Sequence, residues 1–527
     1  LPTLTPTRRT WAVMLALAAL AIFMRALPGP RTIDDAFITF RYSRNLVEGQ
    51  GFVYNPGVHT LGTTTPLFTL VMAAVSAITG REDFPWYAIA VSALADAATA
   101  ALLYRLARRL TGEDFIAALP GLLWAVSPRS VTFAVGGMET SVAVLWMVGA
   151  AWWYANTEMK RGRGALIGLF AALGFLTRID SLIWIGPLFA FQLLDTWRAR
   201  RGEPPLKRLP WATWLTFALV LLPWLAFSVV YFGSLIPNSL SAKTVAYIMP
   251  PGTALINFIQ NGATPFFEDE IFGPYFIAVG GLLYLALCGI GMLYAGKRQP
   301  RLLPLLIYPW LYMAVFSAAN PLIFRWYLLP PVPGLMLGIF AGLWALLSGL
   351  RERPALRRLV PVAFAAAGAL WVVTSLAGWE VHPDHGPDRP APKMAWHKIE
   401  LLYQQIGTEL RDQYGVTPAT RVASGDIGAV GYFSRATIID TVGLVTPAMR
   451  QYYPAPPDII PPGQNYAIPP RLILDTQPQY LVAMESMVRL GLEKDADFQA
   501  EYQRIQDIPT DFYGTGMYLY QRKAGDS

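Results

Sequence analysis

Long apolar runs separated by short polar connections fill the chain as far as residue 378, where the alternation stops. A helix needs about 20 mainly apolar residues to cross the hydrocarbon core of a bilayer. On that measure eleven segments are candidate spans: 11–27, 84–104, 115–127, 138–157, 164–177, 181–195, 211–231, 273–295, 302–319, 327–349 and 359–378. A further apolar stretch, "PLFTLVMAAVSAITG" from Pro66 to Gly80, does not fit as a span, because crossing there would turn every later basic cluster to the opposite side. It is predicted to lie at the membrane interface, together with "AFITFRYSRNLVEG", whose Phe37, Phe40 and Leu46 would wet one helical face with lipid.

Past Trp379 the Pro-rich, polar "VHPDHGPDRPAPK" leads into a stretch of ordinary soluble composition. Short β-branched runs such as "ATIID" and "QYLVAM" alternate there with helical patterns such as 396–414, which predicts a small α/β domain. The expected architecture is a polytopic α-helical membrane domain over 1–379, followed by an α/β domain over 380–527.

Composition agrees with that reading: 54% of the 527 residues are hydrophobic and only 15% are charged. The net charge of +7 would suit nucleic acid if it formed a stripe, but the basic residues fall in short clusters between apolar runs. Such clusters set orientation in a bilayer. With the amino terminus in the cytoplasm, the clusters at Arg8/Arg9, Arg105/Arg108/Arg109, Lys160/Arg161/Arg163, Arg198 to Arg208, Lys297/Arg298/Arg301 and Arg351 to Arg358 all become cytoplasmic. The first segment then reads as an uncleaved anchor, and the carboxyl-terminal domain lies outside the cytoplasm. The single cysteine, Cys288, forms no intrachain disulfide and reads as a lipid-facing or packing residue.

In this register the unusual polar residues share the exoplasmic side. They are Asp34 and Asp35 after the first span, Glu139 in "GGMETS", Arg178 and Asp180 in "LTRIDS", Asn238 and Lys243 in "FGSLIPNSLSAKT", and Arg325 in "NPLIFRWYLLP". Charges at membrane depth cost roughly 2.5 to 3.5 kcal/mol on insertion scales, so a set at helix ends is a functional candidate. Each has a plain structural reading too: Arg178 with Asp180 as a loop ion pair, Lys243 as a snorkelling side chain, Glu139 as a helix cap. The adjacent aspartates are hardest to read that way, since neighbouring carboxylates repel and need a cation, a metal or a shared proton.

The strings "DDAFITFRYSRNLVEGQGFVYNPG", "GMET", "LTRID", "FGSLIPNSLSAKT", "RWYLLP", "GDIGAVGYF" and "IIDTVGLVTP", in that order from Asp34 to Pro447, resemble the GT-C membrane glycosyltransferases that use polyprenyl-phosphate sugars. They are similar in particular to the arabinofuranosyltransferase-like branch, from which the chain departs at "VHTLGTTTP" and at "RID". The resemblance implies transfer of a sugar from a polyprenyl-phosphate donor to a cell-envelope glycan, or to a glycolipid or protein acceptor. The expected setting is the exoplasmic face of a bacterial plasma membrane, and the expected stereochemical outcome is inversion. It also implies Asp34 as general base, with Asp35 orienting it, binding acceptor hydroxyls or holding a metal, and Glu139 as the second acidic position.

Cations would hold the donor phosphate: Arg325 and Lys243 first, Arg41 and Arg178 behind them. His59, Asp180 and Asn238 are candidates for acceptor or metal contact. A divalent cation, Ca²⁺, Mg²⁺ or Mn²⁺, suits the oxygen ligands of Asp35 and Glu139. No nucleotide cofactor is expected. "GDIGAVGYF" reads as a wall of the acceptor groove, and Trp379, Tyr432, Tyr452 and Tyr453 as sugar-stacking or interface-anchoring aromatics. The rival readings are a transporter or flippase of lipid-linked sugars, a non-catalytic assembly module, a protein O-glycosyltransferase and a lipid-A aminoarabinose-type transferase.

Overall fold

The computed structural model describes residues 7–156, 161–382 and 386–524; Lys160 and the middle of the Pro-rich linker lie outside the described residues. Seven helices are long and apolar enough to cross a membrane: Arg8–Ala26, Phe84–Thr111, Trp211–Phe232, Phe276–Arg298, Pro300–Ala319, Arg325–Glu352 and Leu359–Ala377. The protein is a multi-spanning membrane protein, with seven such helices among the described residues where eleven spans were expected.

The difference lies in the middle of the chain. The segments expected to span at 115–127, 138–157 and 164–177 fold as Asp114–Val126, Thr140–Ala155 and Arg161–Thr177, of 13, 16 and 17 residues. At 1.5 Å per residue they reach roughly 20 to 26 Å, short of a hydrocarbon core about 30 Å thick. The fourth, expected at 181–195, is Leu182–Ala199, whose last turns carry Asp195 and Arg198. Much of the apolar surface of Asp114–Val126 and Thr140–Ala155 is buried in protein, and hydropathy does not distinguish a protein neighbour from a lipid one.

Contacts group the chain into two compact units. The first comprises Leu1–Arg31, Pro85–Trp224 and Gly252–Trp396, and the second Thr32–Phe84, Leu225–Pro251 and His397–Ser527. The division in space is therefore discontinuous along the chain, whereas a cut at residue 380 is not.

In the first unit Phe276–Arg298 packs closely on Val332–Ser348. A Cβ on Gly342 would collide with the Leu287 carbonyl oxygen, so glycine lets the two backbones approach. Cys288 is buried there, its thiol facing the Leu335 carbonyl at 3.4 Å, in keeping with a packing role. A buried ionic node joins four helices. Arg25 Nε donates to Asp96 Oδ2 at 3.0 Å, and Asp96 also accepts from Trp124 Nε1 at 3.1 Å and Ser141 Oγ at 2.9 Å. The two-stranded ribbon β1 (Trp379–Val381) and β2 (Pro390–Pro392) completes this unit.

The second unit holds a five-stranded mixed sheet of β3 (Arg421–Ser424), β4 (Thr437–Asp440), β5 (Tyr480–Met484), β6 (Tyr502–Pro509) and β7 (Gly516–Arg522), in the order β4-β3-β5-β7-β6. β3 runs parallel to β4 and β5, while β7 is antiparallel to β5 and β6. "ATIID" and "QYLVAM" are thus strands, and the helix expected over 396–414 runs Lys398–Asp412. That helix packs on Gly428–Ser434, which in turn packs on Asp34–Val47.

Asp34–Val47 is not a lipid-wetted helix. Phe37 and Phe40 are buried: Phe37 lies against the rings of Tyr432 and Phe433, at 5.4 and 5.2 Å, and Phe40 stacks on Phe84 at 5.6 Å. Aromatic partners from distant parts of the sequence take the place expected for lipid. Pro66–Thr79, at 14 residues, is too short to cross and packs on the same helix.

Candidate active site

Parallel strands β3 and β4 point their carboxyl ends, and the loops that follow, toward the start of Asp34–Val47. Ligands favour that end of a parallel pair. The loop after β3 carries "GDIG" and opens the Gly428–Ser434 helix, whose first amides have no partner within the helix. Asp34 supplies one: its Oδ2 accepts from the Gly428 N–H at 2.8 Å and its Oδ1 from the Ala429 N–H at 2.7 Å. The approach is close enough that a Cβ on Gly428 would meet both the Asp34 carbonyl oxygen and its carboxylate. Burial, followed by the nearby Asp426 carboxylate, pushes the Asp34 pKa well above the usual carboxylate range, against the pull of the two amides.

Asp35 has a different environment. It is half-buried, and its Oδ2 lies 3.4 Å from Lys243 Nζ on the Asn238–Ala246 helix. Asp426 is the third acid. Its Oδ2 accepts from the Tyr403 hydroxyl at 2.9 Å. Burial, opposed by that hydrogen bond, with the Asp35 carboxylate pushing further and Lys243 pulling back, lifts Asp426 to about 6. Three carboxylates therefore influence one another beside a single ammonium. Neither Asp426 nor Tyr403 was singled out from sequence; the signal for the first was the acid between the glycines of "GDIG".

Other expected members of the site in this unit have partners within the protein. All three guanidinium nitrogens of buried Arg41 donate inward, to the carbonyls of Tyr54 (2.9 Å), Gly431 (2.6 Å) and Ala436 (2.6 Å) and to Asn55 Oδ1 (3.2 Å). Arg41 is therefore removed from the phosphate-binding set, because its donors are engaged in holding "GDIGAVGYF" to the first loop. Asn238 Nδ2 donates to the Gly443 and Leu444 carbonyls, and its N–H to the Leu61 carbonyl at 2.7 Å, so it ties three loops together. His59 is exposed and stacks on Tyr231, centroids 4.1 Å apart. Tyr432 lies buried under Arg44, and the buried Tyr453 hydroxyl donates to the Thr441 carbonyl at 2.8 Å, so neither offers a free face for a sugar.

The first unit holds the other predicted cluster. Arg178 Nη1 donates to Glu139 Oε1 at 2.7 Å, its Nη2 to Asp180 Oδ2 at 2.7 Å, and its Nε to Asp180 Oδ1 at 3.1 Å. The Tyr312 hydroxyl donates to Asp180 Oδ2 at 3.0 Å, and the guanidinium lies 5.0 Å from the Tyr327 ring centre. Arg178 thus faces two carboxylates instead of presenting an open fork to phosphate. Arg325 is exposed, with Nη1 donating to the Met394 carbonyl at 3.0 Å.

Of the two acids expected to suit a divalent cation, Glu139 is engaged by Arg178 and Asp35 lies beside Lys243. Among the described residues no group of three or more His, Cys, Asp or Glu side chains is arranged to hold a metal ion.

Two family descriptions match parts of the chain: Dolichyl-phosphate-mannose-protein mannosyltransferase over residues 63–227, and Domain of unknown function (DUF8728) over residues 394–522. No curated protein matches it. Among solved structures, ArnT from Cupriavidus metallidurans in the apo state is 13% identical, with a TM-score of 0.59, 97% of this chain covered and 97% of that one. The same protein bound to undecaprenyl phosphate gives 13%, 0.58, 98% and 99%. The Archaeoglobus fulgidus oligosaccharyltransferase in complex with Zn and sulfate is 14% identical, with a TM-score of 0.53, 96% of this chain covered and 72% of that one. At such identities the likeness is one of fold. The chain shares the fold of these membrane proteins over nearly its whole length.

Proposed function

We propose that the protein is a glycosyltransferase that moves a sugar from a polyprenyl-phosphate donor to a cell-envelope glycan on the exoplasmic side of a bacterial plasma membrane. The observation that carries this reading is the half-buried Asp35 carboxylate 3.4 Å from the Lys243 ammonium, beside Asp34 and Asp426. A base and a phosphate-binding cation are the two groups the reaction requires. Asp35 takes the acceptor hydroxyl proton as that oxygen attacks the anomeric carbon. One bond forms between the acceptor oxygen and the carbon, and the bond from that carbon to the phosphate oxygen breaks. The polyprenyl phosphate leaves with the electron pair and is received by Lys243. A single displacement inverts the anomeric centre.

Asp34 is assigned a positioning role rather than that of base, because both its oxygens hold backbone amides. Glu139 and Asp180 are held around the one guanidinium of Arg178 as a support, and no step is routed through a metal. The arabinofuranosyltransferase-like assignment rests on the motif order alone, and the sugar is left to experiment.

The test is transfer by purified protein from synthetic polyprenyl-phosphate arabinofuranose, mannose, glucose and galactose. Turnover with one donor is expected, falling at least about 100-fold in Asp35→Asn while donor binding persists. Donor binding with no turnover by the wild type would favour the transporter reading, and full activity in Asp35→Asn would remove this carboxylate from the chemistry.

A further inference from the structure

The first unit contains a cavity of about 750 Å³ bounded by the helices Thr140–Ala155, Arg161–Thr177 and Leu182–Ala199, the 200–209 loop and the start of Trp211–Phe232. It contains none of the residues discussed above as site candidates. Its inner wall is polar and built. Gln192, 4% exposed, donates through Nε2 to Thr213 Oγ1 at 2.7 Å, and Thr213 Oγ1 donates to the Gly164 carbonyl at 2.9 Å. The other end of the Gln192 amide, Oε1, is buried and accepts no hydrogen bond. A buried polar atom left without a partner costs about 1 to 3 kcal/mol, so a group that supplies a donor there is favoured.

The mouth has a different character. Arg200 and Lys207 line it with one acid, Glu203. Arg200 Nη1 donates to the Lys207 carbonyl, which draws the two cations to one side of the opening. Leu206 and Trp211 line the same mouth and are 69% and 45% exposed. A phosphate meets the cations, an acyl chain covers the exposed apolar side chains, and a hydroxyl-bearing headgroup reaches the open amide carbonyl. These three features together describe one kind of molecule.

We infer that this cavity binds an anionic glycerophospholipid whose headgroup carries a hydroxyl, of the phosphatidylglycerol class. Basic pockets between membrane helices bind anionic headgroups through charge attraction worth about 1 kcal/mol per Lys or Arg. Two cations therefore distinguish an anionic from a zwitterionic lipid by at least about tenfold.

The experiment adds phosphatidylglycerol, phosphatidic acid or phosphatidylethanolamine of identical acyl chains to the delipidated full-length protein in detergent. Retained lipid is counted by native mass spectrometry. Phosphatidylglycerol is expected to be retained about tenfold over phosphatidylethanolamine, and Arg200→Ala with Lys207→Ala is expected to abolish the preference. Gln192→Leu should bring phosphatidylglycerol down to the level of phosphatidic acid. Lys207→Ala is measured alone as well, because Arg200 also staples the loop. Arg198→Ala with Arg201→Ala removes the same charge nearby without touching the cavity and should leave retention unchanged. Equal retention of all three lipids, equal loss in the control pair, or full displacement by inorganic phosphate would each overturn the assignment.

Discussion

The two acidic clusters use the same residue types to opposite ends. In the first unit Glu139 and Asp180 share Arg178, every nitrogen of which meets a carboxylate, and Tyr312 donates to Asp180 as well. In the second unit Asp34, Asp35 and Asp426 influence one another, Lys243 lies 3.4 Å from Asp35, and burial with mutual repulsion lifts the pKa values of Asp34 and Asp426. In the first arrangement both carboxylates are bound directly by the one guanidinium. The second keeps a negative excess that can accept a proton. The two clusters differ in how directly their carboxylates are answered by a cation.

Removing the cation from the closed cluster breaks that comparison most severely. Arg178→Met would leave two carboxylates with little solvent and no cation, and losing one member of a buried ion pair costs about 3 to 5 kcal/mol. Thermal unfolding in detergent should show a large drop in the midpoint. Adding Glu139→Gln and Asp180→Asn to Arg178→Met should recover most of it, because the desolvated charges leave together. Failure of the triple variant to recover would mean that the cluster contributes through hydrogen-bond geometry rather than through charge.

The second cluster is sharpened through its backbone. Gly428→Ala would place a methyl group against the Asp34 carbonyl oxygen and carboxylate. The helix start and the Asp34–Val47 helix must separate, at a cost of about 1 to 3 kcal/mol for overpacking. If Asp34 positions Asp35, turnover should fall while donor binding is retained. Unchanged turnover with the expected loss of stability would make the Asp34 contact purely structural.

These contrasts explain what was legible in the sequence. The polytopic helical architecture and the strands "ATIID" and "QYLVAM" could be read because periodicity survives in one dimension. The count of spans could not, since Asp114–Val126 and Thr140–Ala155 are as apolar as a span but bury much of that surface in protein. Arg41 looked like a phosphate ligand because an arginine reads the same whether its donors face a cavity or four oxygen acceptors. Asp426 could not be picked out, because one acid in "GDIG" shows neither its burial nor its Tyr403 partner until the chain folds. Arg25 and Asp96, 71 residues apart, meet only once the helices pack.

The smallest effect, and the most specific to the open cluster, is its response to pH. Asp426 titrates at about 6 in the folded protein, against about 3.9 in an unfolded chain. Between those values the folded state holds the extra proton, so this group's contribution to stability is complete below about pH 4 and is lost as pH rises through 6. From pH 5 to 7.5 the loss amounts to roughly 1 to 1.5 kcal/mol. Asp440, also lifted to about 6 by burial, adds a parallel background, so the informative quantity is the difference between variants. Asp426→Asn should flatten the wild-type decline in the thermal midpoint over this range. Tyr403→Phe, which removes the hydroxyl holding the Asp426 carboxylate down, should move the decline to higher pH. A pH profile identical in wild type and Asp426→Asn would show that the negative excess at this site is answered by charges other than Lys243.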